Sequence, residues 1–307
     1  MRHFLSIADT SQDELIGLLD LAQDLKRAWR EGGNDPLLKG KVLAMVFQKP
    51  SLRTRVSFDM AMRHLSGDAL YLSPNEIGLG KRESIADVSR VLSGYVDAIM
   101  ARVFDHQHIL ELAAHSSVPV INGLSDYNHP CQAMADVLTI LEHFGELKGL
   151  NVTFVGDGNN VAVSLLFASV LLGMNFTLAA PEGYHLPGSV IERAEQLASA
   201  DGPSIQTIRD PKEAVRKANV IYTDTWISMG QEEEAEHRRN VFPPYQVNQE
   251  IVQAADPGVI VLHCLPAHRG EEITDEVADG EHSAIFQQAE NRMHAQKAIL
   301  VHLLIDN

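Results

Sequence analysis

The chain has 307 residues, 45% of them hydrophobic, a length that suits two medium domains better than one core. With 41 Asp and Glu against 25 Lys and Arg, its net charge of −16 argues against nucleic acid or an anionic membrane surface as the main partner. A small anionic ligand in a local basic pocket stays open, because such a pocket would stand out against the acidic background.

In chain order, short apolar runs at Val42–Phe47, Ala98–Val103, Val118–Ile121, Val152–Val155, Phe176–Ala180, Val220–Thr223 and Val259–His263 read as buried parallel strands. Helical patterns lie between them. Leu15, Leu18, Leu19 and Ala22 form one apolar stripe, and Met134, Val137, Leu138 and Leu141 another, with Pro130 at the helix start where proline is tolerated. Strands alternating with helices predict an α/β fold with parallel sheets. A boundary near Phe144–Leu150 separates residues 1–145 from 146–307. The segment from about 290 to 305 reads as a C-terminal helix that packs back on the first domain. No apolar run approaches the roughly 20 residues of a transmembrane helix. Two cysteines, Cys131 and Cys264, and no signal pattern suit a reduced, cytoplasmic chain.

Seven stretches could carry chemistry. In KPSLRTRVSF (49–58), Arg53 and Arg55 stand with Ser51 and Thr54 where an apolar strand gives way to a helix. A loop opening a helix there offers free backbone N–H groups, and hydroxyls with a guanidinium complete a phosphate cradle. The same residues could be a helix cap with surface arginines. Arg102 closes the run IMARV, where a side chain would point into the crevice or pair with Asp105. In SDYNHPCQAMAD (125–136), His129 and Gln132 at a helix start could read a carbonyl and an amide, or simply cap the helix.

In TFVGDGNNVAVSLL (153–166) a strand runs into Gly156 and Gly158, which invites a dinucleotide reading. The third glycine of that fingerprint is missing, with Val161 in its place, and Asn159 and Asn160 offer amides for a zwitterion instead. Asp224 in YTDTWISMGQE (222–232) ends a strand ahead of a loop of small residues and could hold an ammonium group. VLHCLPAHRGEEIT (261–274) holds Cys264 but lacks metal-ligand spacing, so no metal is expected. Arg292 in ENRMHAQKAIL (290–300) could bring a third cation to a phosphate.

SLRTR, HPCQ, GDGNN, DTWISMG, HCLP and ENR, in that order over nearly the whole chain, resemble the carbamoyltransferase family. SMG and HCLP favour its ornithine branch over its aspartate branch. The resemblance implies two doubly wound parallel-sheet domains linked by two helices, one of them C-terminal. It also implies a homotrimer or multiple of trimers, and no cofactor. The implied reaction is carbamoyl phosphate plus L-ornithine giving L-citrulline and phosphate, with carbamoyl phosphate on the first domain and ornithine on the second. Ser51, Leu52, Arg53 and Thr54 would take the phosphate. Arg102, His129, Pro130, Cys131 and Gln132 would hold the carbamoyl group, helped by Arg292. Asn160, Asp224, Ser228 and Met229 would bind ornithine, and Cys264 and Leu265 would sit where the substrates meet. Arg102, His129, Asp224 and Cys264 would be catalytic, and the Ile227–Glu232 loop would close over ornithine. Two positions depart from the family pattern: Leu52 stands for the commoner threonine, and Gly78 for a frequent glutamine.

Overall fold

A computed structural model describes residues 2–80, 82–198, 202–227 and 232–305. The chain divides into two compact units, Met1–Leu138 with Glu290–Asn307, and Thr139–Ala289. It passes from the first to the second inside the helix Pro130–Phe144, and returns inside the helix Ile285–Leu304. The division thus falls within the helix that ends just ahead of the 145/146 boundary expected from the sequence.

The first unit is built on a parallel sheet of β1 (Val42–Phe47), β2 (Asp68–Leu72), β3 (Ala98–Arg102) and β4 (Val120–Leu124) in the order β2-β1-β3-β4. The second carries β5 (Asn151–Val155), β6 (Asn175–Ala179), β7 (Ile205–Ile208), β8 (Val220–Thr223) and β9 (Ile260–His263) in the order β7-β6-β5-β8-β9, again all parallel. The central strands are the continuous apolar runs of the sequence, as strands covered on both faces must be. β2 and β7 were not legible as such runs. They lie at the sheet edges, and DALYL and IQTI are partly exposed along their length.

Each sheet winds both ways from its first strand. β2 lies on one side of β1 and β3 on the other; β6 lies on one side of β5 and β8 on the other. At such a reversal the loops leaving the carboxyl ends diverge, and a crevice opens between them. Register places the loops that matter there. Phe47 pairs with Arg102, so the loop into the helix at Leu52 starts beside the end of β3. Val155 pairs with Thr223 and Thr223 with His263, so Gly156, Asp224 and Cys264 leave three neighbouring strands together.

Within the first unit, the C-terminal helix is held to the helix Gln12–Glu31 by buried polar contacts. Lys26 Nζ donates to Asn291 Oδ1 at 2.7 Å, and Lys297 Nζ to Asn34 Oδ1 at 2.7 Å. Burial pushes the Lys297 ammonium down to about 8. It pushes the fully buried His294 down to about 4, aided by Lys297 and Lys26. A histidine whose folded pKa lies below its unfolded value binds fewer protons folded than unfolded, so stability falls as pH drops from about 6.5 to about 4. Thermal melts across that window should show the slope, and His294→Gln should flatten it. An unchanged slope in the variant would assign the acid sensitivity to other groups.

Candidate active site

The first half-site lies at the ends of β1 and β3. Ser51 is the N-cap of the helix Leu52–His64, its Oγ accepting from Thr54 N at 3.4 Å. Three donors converge on the buried Thr54 Oγ1: Ser51 Oγ at 3.1 Å, Arg292 Nη2 at 3.0 Å and Arg102 Nη1 at 3.4 Å. Arg102 is 7% and Arg292 4% exposed, so both guanidinium groups are nearly dry and carry their charge at low local dielectric. His129, 3% exposed, precedes the helix that opens at Pro130. Burial, then Arg292, Arg102, Lys49 and Arg53, hold its pKa well below the usual imidazole range. The ring is therefore neutral at pH 7 and offers one N–H donor to an oxygen placed among the cations.

Leu52 is 74% exposed. A threonine hydroxyl is missing there, but a backbone N–H at the helix start is unaffected by the exchange. Arg53 is half-buried, whereas Arg55 is exposed with its guanidinium 4.0 Å from the Tyr71 ring centroid. Arg55 is thus packed on β2, away from the convergence on Thr54. The Cys131 thiol donates to Asn122 O on β4 at 3.4 Å, and burial pushes its pKa up to about 12. It is inert at pH 7, and any part it plays in the site is played by its backbone. Gln132 is buried, its Nε2 donating to Asp136 Oδ1 at 2.7 Å. Gly78 adopts φ +52 as the left-handed C-cap of the short helix Pro74–Ile77. That conformation suits glycine better than the family's glutamine.

The second half-site gathers at the ends of β5, β8 and β9. Asp224, 7% exposed, accepts three bonds: from Asn159 Nδ2 at 2.8 Å, from Thr225 N at 2.8 Å and from Cys264 Sγ at 3.0 Å. Cys264 and Asp224, each following an apolar strand and both expected to be catalytic, are joined by a direct hydrogen bond. Asn160, half-buried, opens the helix Asn160–Leu171. Leu265 sits at φ +59, a conformation costly for a branched side chain, with its N–H bonded to His263 Nδ1 at 2.8 Å. The expected ornithine contacts Ser228 and Met229, and most of the expected lid, lie outside the described residues.

Asn159, named in the sequence only as an amide for a zwitterion, has a different part here, and Lys49, His263 and Glu272 escaped sequence reasoning. Asn159 uses Oδ1 to cap its helix, accepting from Val161 N and Ala162 N, and Nδ2 to hold Asp224. Lys49 is 8% exposed and adds a cation beside His129; its place just ahead of SLRTR was a usable signal. The fully buried His263 and Glu272 bond at 2.9 Å. Asp224, His263 and Cys264 bring ligand-type atoms within 4.8 Å of one another. His263, however, commits Nδ1 to Leu265 N and Nε2 to Glu272, so it has no ring nitrogen to give a metal. Arg238 Nη1 bonds Asp157 Oδ2 at 2.6 Å and Trp226 O at 2.9 Å, fixing the stem of the 227–232 loop to the Gly-Asp-Gly turn.

The glycines of that turn have a reason other than a dinucleotide. A Cβ on Gly158 would lie 2.7 Å from Leu186 N and 2.8 Å from His185 C. The chain itself fills the space that a pyrophosphate would need, and Asn159 satisfies the N–H groups at the helix start. Gly158→Ala should therefore destabilise the protein by roughly 1–3 kcal/mol through overpacking against backbone. A melt lowered by several degrees is the expected reading, and a melt matching wild type would show that the Tyr184–Leu186 segment gives way freely.

Fold and half-sites together define a two-domain α/β enzyme, with a cationic half-site on one sheet and a carboxylate–amide–thiol half-site on the other. The chain belongs to the aspartate/ornithine carbamoyltransferase family: residues 2–142 match its carbamoyl-P binding domain and 148–303 its Asp/Orn binding domain. It is 54% identical over 303 residues to the ornithine carbamoyltransferase of Pyrococcus abyssi, covering 99% of this chain and 96% of the relative. It is 54% identical to the anabolic ornithine carbamoyltransferase of Pyrococcus furiosus, covering 97% and 95%. The solved structure of ornithine carbamoyltransferase from Pyrococcus furiosus superposes with a TM-score of 0.96 at 53% identity, covering 100% of this chain and 97% of that one.

Proposed function

We propose that the protein transfers the carbamoyl group of carbamoyl phosphate to the side-chain amine of L-ornithine, giving L-citrulline and phosphate, in arginine metabolism. The observation that carries the choice of acceptor is Asp224. A nearly dry carboxylate fixed by Asn159, Thr225 and Cys264 attracts an ammonium group and repels a second carboxylate. An amine acceptor such as ornithine fits it; aspartate does not.

In this reading Ser51, Leu52, Arg53 and Thr54 take the phosphate, with Arg292. Arg102, His129 and Thr54 stabilise the tetrahedral oxyanion that forms when the amine attacks the carbamoyl carbon. A neutral His129 suits this task, since it donates a hydrogen bond without adding a full charge to those of Arg292, Arg102, Lys49 and Arg53. The amine must first lose its proton. From a pKa of about 10.4, reaching the neutral form at pH 7 costs roughly 4.6 kcal/mol. Asp224 and the Cys264 thiol bonded to it are the groups proposed to lower that cost. Asn160, Ser228 and Met229 hold the amino-acid end of ornithine, and Leu265 presents its backbone near the junction of the substrates. No helix among the described residues is long and apolar enough to cross a membrane; a cytoplasmic trimer, or multiple of trimers, is proposed on the family resemblance.

An acceptor panel tests the reading. With carbamoyl phosphate fixed, L-ornithine should exceed putrescine, N-acetylornithine and aspartate in kcat/KM by roughly 10²-fold or more, the scale set by leaving a site's buried polar groups unpaired. Preference for putrescine or the acylated amine would move the protein to another acceptor within the family, and preference for aspartate would remove Asp224 from the ammonium site.

A further inference from the structure

Gln132 is 1% exposed on the first turn of the helix Pro130–Phe144, and Asp136 lies one turn on, fully buried. The bond from Gln132 Nε2 to Asp136 Oδ1, at 2.7 Å, fixes which way the amide faces. A carboxylate only accepts, so the NH₂ end must point to Asp136 and the carbonyl end away from it. That carbonyl oxygen, Gln132 Oε1, is buried and has no hydrogen-bond partner among the described residues. A buried acceptor so placed is suited to a ligand's N–H, and the bond from Gln132 N to the His129 carbonyl at 3.0 Å puts it on the same turn as His129, one of the proposed oxyanion donors.

The chemistry of the donor gives this orientation a consequence. Carbamoyl phosphate and acetyl phosphate share the phosphate and the carbonyl and differ in one group, NH₂ against CH₃. Arginines and a histidine that bind phosphate and carbonyl oxygens cannot tell the two apart; an acceptor facing the NH₂ can. We propose that Asp136 is a positioning residue that locks Gln132 as an acceptor and thereby sets the discrimination of carbamoyl phosphate against acetyl phosphate. The inference rests on the donor assigned under Proposed function. With acetyl phosphate the slow side reaction forms a bond between the ornithine side-chain nitrogen and the acetyl carbon and breaks the carbon–oxygen bond to phosphate. The amine gives up one proton, and the products are the N-acetylated amine and phosphate.

The test compares kcat/KM for the two donors at fixed ornithine, reading ornithine-dependent phosphate release, with the organic product identified by mass. Wild type should prefer carbamoyl phosphate by a factor on the order of 10⁴, as for other sites built to hydrogen-bond a substrate N–H. Asp136→Asn can accept or donate, so the Gln132 amide can turn over. The donor ratio should then fall at least roughly tenfold, because the carbamoyl reaction loses its acceptor while the acetyl reaction has none to lose. A merely structural role for Asp136 lowers both rates together and leaves the ratio unchanged, which would overturn the inference. Should Asp136→Asn fail to fold, Gln132→Met, of similar length with no polar atom to orient, must show the same collapse of the ratio, and an unchanged ratio there overturns it equally. Absence of citrulline from the wild type would instead sink the assigned donor, so the two failures are distinguishable.

Discussion

Arg102→Leu is expected to lower kcat for citrulline formation by roughly 10²–10³-fold, the scale of removing one preorganised donor from an oxyanion site. Arg102 ends β3 beside the loop that leaves β1, and its guanidinium reaches Thr54 Oγ1 along with Arg292. Leucine keeps the buried volume roughly constant, so the sheet should hold and near-UV circular dichroism should match wild type. Carbamoyl phosphate binding should weaken less than kcat, because Arg53 and Arg292 still meet the phosphate. The contrast separates a charge that forms in the transition state from one already present in the ground state. A variant with kcat within a few-fold of wild type would take Arg102 out of the chemistry and leave it as a residue bracing Thr54.

The second large effect concerns Cys264. Its thiol donates to Asp224 Oδ1 at 3.0 Å, which ties the two groups proposed to receive or relay the ornithine proton. At subsaturating ornithine the wild-type rate should rise with pH and level off in the alkaline range as solution supplies more neutral amine. Cys264→Ala should lose rate at pH 7 by roughly 10²-fold or more, within the range of general acid–base contributions. That deficit should shrink as pH rises, while carbamoyl phosphate affinity stays near wild type. If Cys264 only packs and positions, the two pH profiles run parallel, and the relay is abandoned. Asn159 sharpens the comparison, since its bond to Asp224 holds the carboxylate in place when the thiol is removed.

What could be read in the sequence follows from where each signal resides. Seven strands were legible because they are buried on both faces and so are continuous apolar runs. β2 and β7 were not, because these two edge strands are partly exposed along their length and lose that signature, whereas the opposite edge strands β4 and β9 are buried and keep it. Ser51, Arg53, Thr54, Arg102, His129 and Asp224 were legible because each sits at the end of an apolar run or the start of a helix, positions that sequence marks. Asn159 was read only as an amide for a zwitterion, and Glu272 not at all. Their roles depend on strand register and on which loops leave the sheet side by side, and neither is local in sequence. Val155 pairing with Thr223 is what brings Asn159 to Asp224, across 65 residues of chain. The two arginines of SLRTR also part company by register rather than by motif, since Arg53 acts on the charge of His129 while Arg55 stacks on Tyr71.

The central claim is carbamoyl transfer to ornithine, and the measurement that reaches it most directly is product stoichiometry. Purified protein with carbamoyl phosphate and L-ornithine should form citrulline and phosphate in equal amounts. Enzyme-dependent phosphate release should be absent when ornithine is omitted, because no acceptor amine is then present. Phosphate released without citrulline, or no citrulline above the uncatalysed background, would contradict the account.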